Sequence, residues 1–267
     1  MLGLVEADKV KLPYFERARR ALDPRRAVQI EDIKIGEIPA VRLKMSFDEH
    51  IMRRGAARIY IAAMEKLERS GAKSLLFRSD FPRREVFSED GFFEADDGDI
   101  WEAKCADIAV KASRGGDRAL LISEKPGDRD MEKLRSLGER FRYVALLASP
   151  SMGKYCRSMC RHYGISVIER PSESSLSKCS AAIVSGGEMP VKLGAKCVAV
   201  SGGNMPRQIT GAAGYVSEIT ARTAQIGRGY IPEGYDAGAI IAEGIRRGAI
   251  NAAAVEIGDI KITYDRK

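Results

Sequence analysis

The sequence predicts an α/β protein built on a doubly wound, mostly parallel sheet with helices on both faces, preceded by an N-terminal extension with short strands. Three observations predict it. Short runs that are apolar throughout, such as Ala181-Ala182-Ile183-Val184, recur from residue 48 onward, and strands covered on both faces read in that unbroken way. Longer stripes of apolar residues at helical spacing alternate with these runs, which is the rhythm of a parallel sheet with crossover helices. Residues 1–47 lack that rhythm and instead carry period-2 strand patterns.

Taken in order, the extension (1–47) opens with a basic helical stretch from Tyr14 to Leu22 that stops at Asp23-Pro24. Two strand-like runs follow, 28–35 and 40–45, joined across Gly36 and Pro39. The string Ile30-Glu31-Asp32-Ile33-Lys34-Ile35 is nearly repeated by Ile257-Gly258-Asp259-Ile260-Lys261-Ile262. Strands with matching patterns at the two ends can pair in one sheet or lie on its edge, and two ordinary strand sequences can also coincide. The second domain, 48–267, begins with a helix over 48–70 that sets Ile51, Ile59, Ala62, Ala63 and Leu67 near one face and stops at Gly71. Strands are expected at 74–77, 119–123, 143–148, 165–169, 181–185 and 196–201. Helices lie on the stripes Trp101/Cys105/Ile108/Ala109/Ala112, Met131/Leu134/Leu137/Phe141 and Met152/Cys156/Met159/Cys160/Tyr163, with Gly164 closing the last. Residues 78–99 read as irregular. The last third predicts a small-residue helix over 207–224, a Gly/Pro/Tyr loop over 227–234 and a helix over 236–247.

Composition narrows the function classes. A chain of 267 residues buries a substantial core, and no run approaches the roughly 18 to 20 apolar residues that cross a bilayer. Glu6, Asp8, Lys9 and Lys11 stand where a secretory signal needs its apolar segment, so a cytoplasmic protein without a membrane partner is expected. The five cysteines, at 105, 156, 160, 179 and 197, are odd in number and lack paired spacing, which argues against a disulfide framework. The net charge of +7 comes with basic doublets at 19–20, 25–26, 53–54, 83–84 and 246–247. A nucleic-acid reader concentrates its cations on one face with aromatics between them, so scattered doublets make nucleic acid an unexpected partner.

The site argument rests on geometry. Parallel strands of one sheet end on a common edge, and ligands of open α/β sheets bind outside those carboxyl ends. Four segments belong there: Ser149-Pro150-Ser151-Met152-Gly153-Lys154, Glu169-Arg170-Pro171, and the duplicated loops Ser185-Gly186-Gly187-Glu188-Met189-Pro190 and Ser201-Gly202-Gly203-Asn204-Met205-Pro206. In the first, Ser149 is placed to cap a helix whose first position is Pro150, with Gly153 allowing close approach and Lys154 adding a point charge. Such a turn receives an anion or simply starts a helix. The pair Glu169-Arg170 supplies an acid that grips a ribose hydroxyl and a cation that favours a 2′-phosphate, or it is a solvated loop. Paired glycines after each strand suit either a ligand approach or a sharp turn.

The run from Tyr143 to Asn204 resembles the nucleotide-binding half of Rossmann dehydrogenases, over about 60 residues of strand order. Within it, Lys192-Leu193-Gly194-Ala195-Lys196 is similar to a segment of the 2-hydroxyacid dehydrogenases. The glycine fingerprint G-x-G-x-x-G and a catalytic histidine are both missing from the pattern. The resemblance implies a Rossmann-like fold and NAD or NADP as cofactor. The expected site therefore comprises Ser149, Ser151, Gly153, Lys154, Glu169, Arg170, Ser185, Gly186, Gly187, Ser201, Gly202, Gly203 and Asn204, taking an anionic small molecule or nucleotide. The alternative is a non-catalytic Rossmann-like scaffold or regulator with a degenerate site; self-association is open in either case. His50 and His162 sit near helix ends and offer no acid–base pair. Cys156, Cys160 and His162 have metal-like proximity, but the cysteines share the apolar stripe and are read as packing. The tyrosines of 230–235 can close over a ligand or pack as surface loop.

Overall fold

The structure is a computed structural model and describes residues 1–48, 53–186, 189–202, 206–227 and 230–264. The chain forms two compact units, Met1–Asp99 with Arg222–Val255, and Ile100–Ala221 with Glu256–Lys267. The elements of the first stretch are β1 (Leu2–Val10), α1 (Tyr14–Leu22), β2 (Val28–Ile35), β3 (Ile38–Asp48), α2 (Arg53–Ser70), β4 (Ser74–Phe77), α3 (Glu85–Ser88) and β5 (Phe93–Glu94). Then come α4 (Gly98–Ser113), β6 (Arg118–Ile122), α5 (Asp128–Gly138), β7 (Tyr143–Leu147), α6 (Gly153–Tyr163), β8 (Val167–Glu169), α7 (Glu173–Leu176), β9 (Ala181–Val184), β10 (Val191–Lys192), β11 (Val198–Val200), β12 (Ile209–Thr210) and β13 (Gly214–Thr223). The chain ends through α8 (Ala237–Arg246) and β14 (Val255–Thr263).

The first unit holds a five-stranded sheet in the order β2-β3-β1-β4-β5. β1 is its centre, parallel to β3 on one side and to β4 on the other, while β2 joins β3 antiparallel. The 1–47 segment is therefore hydrogen-bonded into a unit that continues past the boundary expected at 47/48. β1 itself escaped the sequence reading because Glu6, Asp8 and Lys9 interrupt its apolar pattern. Leu2, Leu4 and Val5 are nevertheless fully buried. One face of the sheet packs Val5, Leu43, Met45 and Leu75 against Ile59, Ala63 and Leu67 of α2. The segment expected to be irregular is anchored there by Phe87, whose ring stands 5.4 Å from Phe77, 6.0 Å from Phe81 and 6.2 Å from Phe92.

The second unit is a seven-stranded sheet in the order β14-β13-β11-β9-β6-β7-β8. The neighbours from β13 through β11, β9, β6 and β7 to β8 are all parallel. Starting at β6, the chain winds outward to β7 and β8, returns to the other side of β6 as β9, and continues to β11 and β13. That is the doubly wound order 3-2-1-4-5-6 of a Rossmann-like sheet, with helices on both faces.

Two sequence expectations are corrected and a third is narrowed. The small-residue helix over 207–224 is instead the short β12 and the long β13: the β-branched Val216, Ile219, Thr220 and Thr223 suit a pleated, half-exposed edge region better than a helix. Helix α6 starts at Gly153 with Met152 as its N-cap, and no side chain of its own caps it, so Ser149 and Pro150 lie ahead of the helix. The look-alike strands near the two termini, β2 and β14, lie at the edges of different sheets, the edge being one of the two placements their pattern allowed. Among the described residues no helix is long and apolar enough to cross a membrane.

Candidate functional site

The strand order sets the location. In a doubly wound sheet the crevice opens where successive strands diverge to opposite sides, here between β6 and β9. Ser123 follows β6 and Ser185 follows β9, so two hydroxyls stand at the switch point. The turn that leads from β6 into α5 reads Ser123-Glu124-Lys125-Pro126-Gly127-Asp128. This is where a dinucleotide-binding protein carries its glycine fingerprint. The resemblance drawn from Tyr143 onward thus begins one strand–helix unit later than the first strand of the observed winding.

At this turn an internal carboxylate takes the place of an anion. Asp130, in the first turn of α5 and 8% exposed, accepts hydrogen bonds from Ser123 Oγ at 3.0 Å and from the Gly127 amide at 3.1 Å. Its other oxygen accepts from Ser185 Oγ. Lys133, one turn along the helix, donates from Nζ to Ser185 Oγ at 2.8 Å and stands 3.6 Å from Asp130 and 3.7 Å from Glu102. Burial alone raises the Asp130 pKa, but the bonds from Ser185, Gly127 and Ser123 and the charge of Lys133 outweigh it and hold the carboxyl below the usual range. A helix N-terminus favours negative charge; α5 satisfies that preference from within its own chain.

The second helix on this edge is closed in the same manner. Glu169, at the end of β8, accepts from the Met152 amide and from Ser151 Oγ at 3.0 Å, capping α6 from outside. The Met152 amide first, and then Ser151 with the nearby arginines, outweigh the effect of burial and lower the Glu169 pKa. A Cβ at Gly153 would lie 3.2 Å from Glu169 Oε2, so the glycine admits the carboxylate. Ser151, Gly153 and Glu169, three of the expected site residues, are thus brought together. Ser149, Lys154 and Arg170 are exposed beside them, Arg170 with a left-handed backbone (φ 51°).

The strands on either side of the duplicated loops are neighbours: β9 pairs with β11 before them, and β10 with β12 after them, Val191 opposite Ile209. The glycines of the loops differ in purpose. Gly186 has φ +97° and open space around it, so it is a backbone requirement. Gly202 is a close approach: a Cβ there would sit 3.1 Å from Cβ of Trp101 in α4. Ser201 is half-buried. Gly187, Gly203 and Asn204 lie outside the described residues, as does His50. His162 is exposed in the last turn of α6, and no group of three or more His, Cys, Asp or Glu among the described residues is placed to hold a metal ion. Sequence reasoning missed Ser123, Asp130 and Lys133; the one local signal for them was Gly127-x-x-Asp130, the spacing of a capping box.

The first unit carries a separate charged cluster. Glu6 is 3% exposed and receives Arg42 at 3.0 Å, Lys44 at 3.2 Å and Arg78 at 3.5 Å. Tyr235 faces the same charges: burial first, and then Glu6, hold its phenol protonated. Its hydroxyl is buried with no hydrogen-bond partner among the described residues. Of the loop tyrosines expected to close over a ligand, then, Tyr235 is inside the unit, whereas Tyr230 is 63% exposed.

No protein-family model matches the chain, and no curated protein matches it. Solved structures do. L-tryptophan dehydrogenase from Nostoc punctiforme is 14% identical over 75% of this chain and 62% of its own, with a TM-score of 0.29; the chain therefore spans less than two thirds of that enzyme. Aspartate transcarbamoylase from Trypanosoma cruzi, in complex with carbamoyl aspartate and phosphate, is 9% identical over 78% and 73%, with a TM-score of 0.32. The D-isomer specific 2-hydroxyacid dehydrogenase from Lactobacillus delbrueckii ssp. bulgaricus, in its NAD-complexed form, is 9% identical over 87% and 85%, with a TM-score of 0.24. Likeness at this level carries no argument about a ligand, and the fold assignment stands on the strand order itself.

Proposed function

We propose that the seven-stranded unit is a Rossmann-like module with a degenerate cofactor site, serving as a scaffold or regulator and taking no dinucleotide in the usual manner. The observation that supports this reading is Asp130: its carboxylate occupies the helix N-terminus that a pyrophosphate would need, tied to Ser123, Gly127, Ser185 and Lys133. Two negative groups at one such site repel, and expelling Asp130 leaves Ser123 and Lys133 without it in a largely dry environment. Thermal unfolding with NAD, NADP, S-adenosylmethionine and nucleotides tests this. Wild-type protein is expected to unfold at the same temperature with and without millimolar ligand, whereas ligand in 100-fold excess over its dissociation constant stabilises by about 2.7 kcal/mol. A saturable upward shift with NAD or NADP overturns the reading.

A second reading is favoured by the open positions along the same edge. Ser149, Lys154, Arg170 and Gly186 are exposed beside the carboxyl ends of β7, β8 and β9, where an anionic small molecule or nucleotide, NAD(P) of an oxidoreductase included, would be received. Under that reading Lys154→Ala and Arg170→Ala together abolish the ligand-induced shift that wild type shows.

A further inference from the structure

Helix α1 is mounted with its apolar side outward. At about 100° per residue, Tyr14, Phe15, Ala18, Ala21 and Leu22 fall within an arc of about 120°, and a helix with such an arc normally turns it to the core. Here all five are exposed, Tyr14 at 76%, Phe15 at 82% and Leu22 at 87%. No residue of the helix is buried. The polar side faces the unit instead: Glu16, Arg17 and Arg20 are half-buried, and Arg17 Nε donates to Asp48 at 2.9 Å and Nη2 to the Leu12 carbonyl at 3.3 Å. The helix is thus fixed to the first unit through its charges and offers its hydrophobic arc to the surroundings.

The stretch of chain that carries that arc is basic. Residues 9–26 contain seven basic side chains, Lys9, Lys11, Arg17, Arg19, Arg20, Arg25 and Arg26, against Glu16 and Asp23, a net +5 of the +7 carried by the whole chain. Arg17 and Arg20 are turned to the unit, and exposed ion pairs engage Arg19 with Glu16, Arg25 with Glu65 and Arg26 with Asp23; surface pairs of this kind are weak and leave the cations accessible to headgroups. Lys9, Lys11, Arg19, Arg25 and Arg26 are all exposed.

We propose that α1 is a docking surface for an anionic phospholipid membrane, lying in the interface with Tyr14, Phe15 and Leu22 inserted and the surrounding cations among the headgroups. An exposed apolar helix face with a basic surround is the pattern of interfacial helices, and each cation near an anionic leaflet adds to the attraction. Charge complementarity selects this occupant. A second copy would set two such basic surfaces against each other. A nucleic acid would use the cations and the aromatics but leave Leu22, Ala18 and Ala21 exposed in the same arc. The attachment is peripheral.

Co-sedimentation of the full chain with sonicated vesicles tests the proposal, using phosphatidylglycerol and phosphatidylcholine at 1:3 against phosphatidylcholine alone. The protein is expected to pellet with the anionic vesicles, to stay in solution with the neutral ones, and to be released as salt is raised. The double variant Phe15→Ser, Leu22→Ser is expected to lose about tenfold in partitioning while keeping its circular dichroism and unfolding temperature, because neither side chain is buried in the fold. Wild type that stays in solution with anionic vesicles overturns the proposal, as does a double variant that binds undiminished. A variant that loses several degrees of stability also overturns it, since the face would then be covered in the folded chain, and salt-sensitive binding to single-stranded nucleic acid without vesicle binding assigns the surface to the rival partner.

Discussion

Replacing Asp130 by alanine removes one side chain and disconnects four groups. Ser123, 2% exposed, loses its acceptor, and the Gly127 amide loses its cap. Ser185 and Lys133 lose the carboxylate between them, and α5 loses one of the two negative charges in its first turn, Asp128 remaining. Leaving a buried donor and a partly buried cation without their shared partner costs about 3 kcal/mol, and a lost helix cap costs about 1 kcal/mol. For a domain of this size each kcal/mol moves the midpoint by roughly 2–4 °C, so the variant should unfold roughly 8–16 °C below wild type at pH 7. The pH dependence has a definite sign. The folded pKa of Asp130 lies below its ordinary value, so its contribution is complete above about pH 4 and fades as the pH falls through the folded pKa. Unfolding followed by circular dichroism at pH 7 and in steps below pH 4 is therefore the assay, and the gap between wild type and variant should narrow in acid. A gap under 1 °C at neutral pH, or one that stays constant into acid, refutes the network.

Three other outcomes follow from the packing. Tyr235→Phe deletes a buried hydroxyl that has no partner among the described residues, so urea unfolding should show a variant as stable as wild type or up to about 1 kcal/mol more stable; a loss greater than that would mean the phenol is bonded. Gly194→Ala places a Cβ 2.4 Å from the Ser177 carbonyl oxygen, a clash with backbone that should destabilise by about 1–3 kcal/mol in the same measurement. Maleimide labelling of the native chain should mark the exposed Cys160 first. Burial pushes Cys105 up to about 11 and Cys197 up to about 12 and also raises Cys179, so mass mapping should find these three labelled only after unfolding.

Where side chains pack against their own neighbourhood, the sequence was readable. The apolar runs at β4, β6, β7 and β9 announced buried parallel strands, and the stripes beneath α4 and α5 announced helices, because burial on both faces of a sheet leaves that pattern; the stripe of α6 announced its helix too, but its Cys160 and Tyr163 are exposed and Cys156 only half-buried, so they do not pack in the core as expected. β1 was hidden because its charges are neutralised from distant positions: Glu6 meets Arg42, Lys44 and Arg78 only after folding. β13 was misread because small residues fit a helical stripe and an edge-region strand equally well until neighbours decide. Ser151, Gly153 and Glu169 come together because β7 and β8 are parallel neighbours whose ends share one edge. Asp130 was not legible, since its decisive partner Ser185 stands 55 residues away. The duplicated loops looked equivalent as strings, yet Gly186 answers to a backbone angle and Gly202 to the Trp101 side chain. Gly194, which lent the chain its likeness to a dehydrogenase segment, is explained by packing against Ser177.

The occupied anion position at α5 is tested most directly by calorimetric titration of NADP into the wild-type chain and into Asp130→Ala at pH 7, at a temperature where both are folded. The self-capped helix predicts no saturable heat for wild type up to millimolar ligand, with any binding gained confined to the variant. A wild-type dissociation constant in the micromolar range, weakened or unchanged by Asp130→Ala, would contradict it.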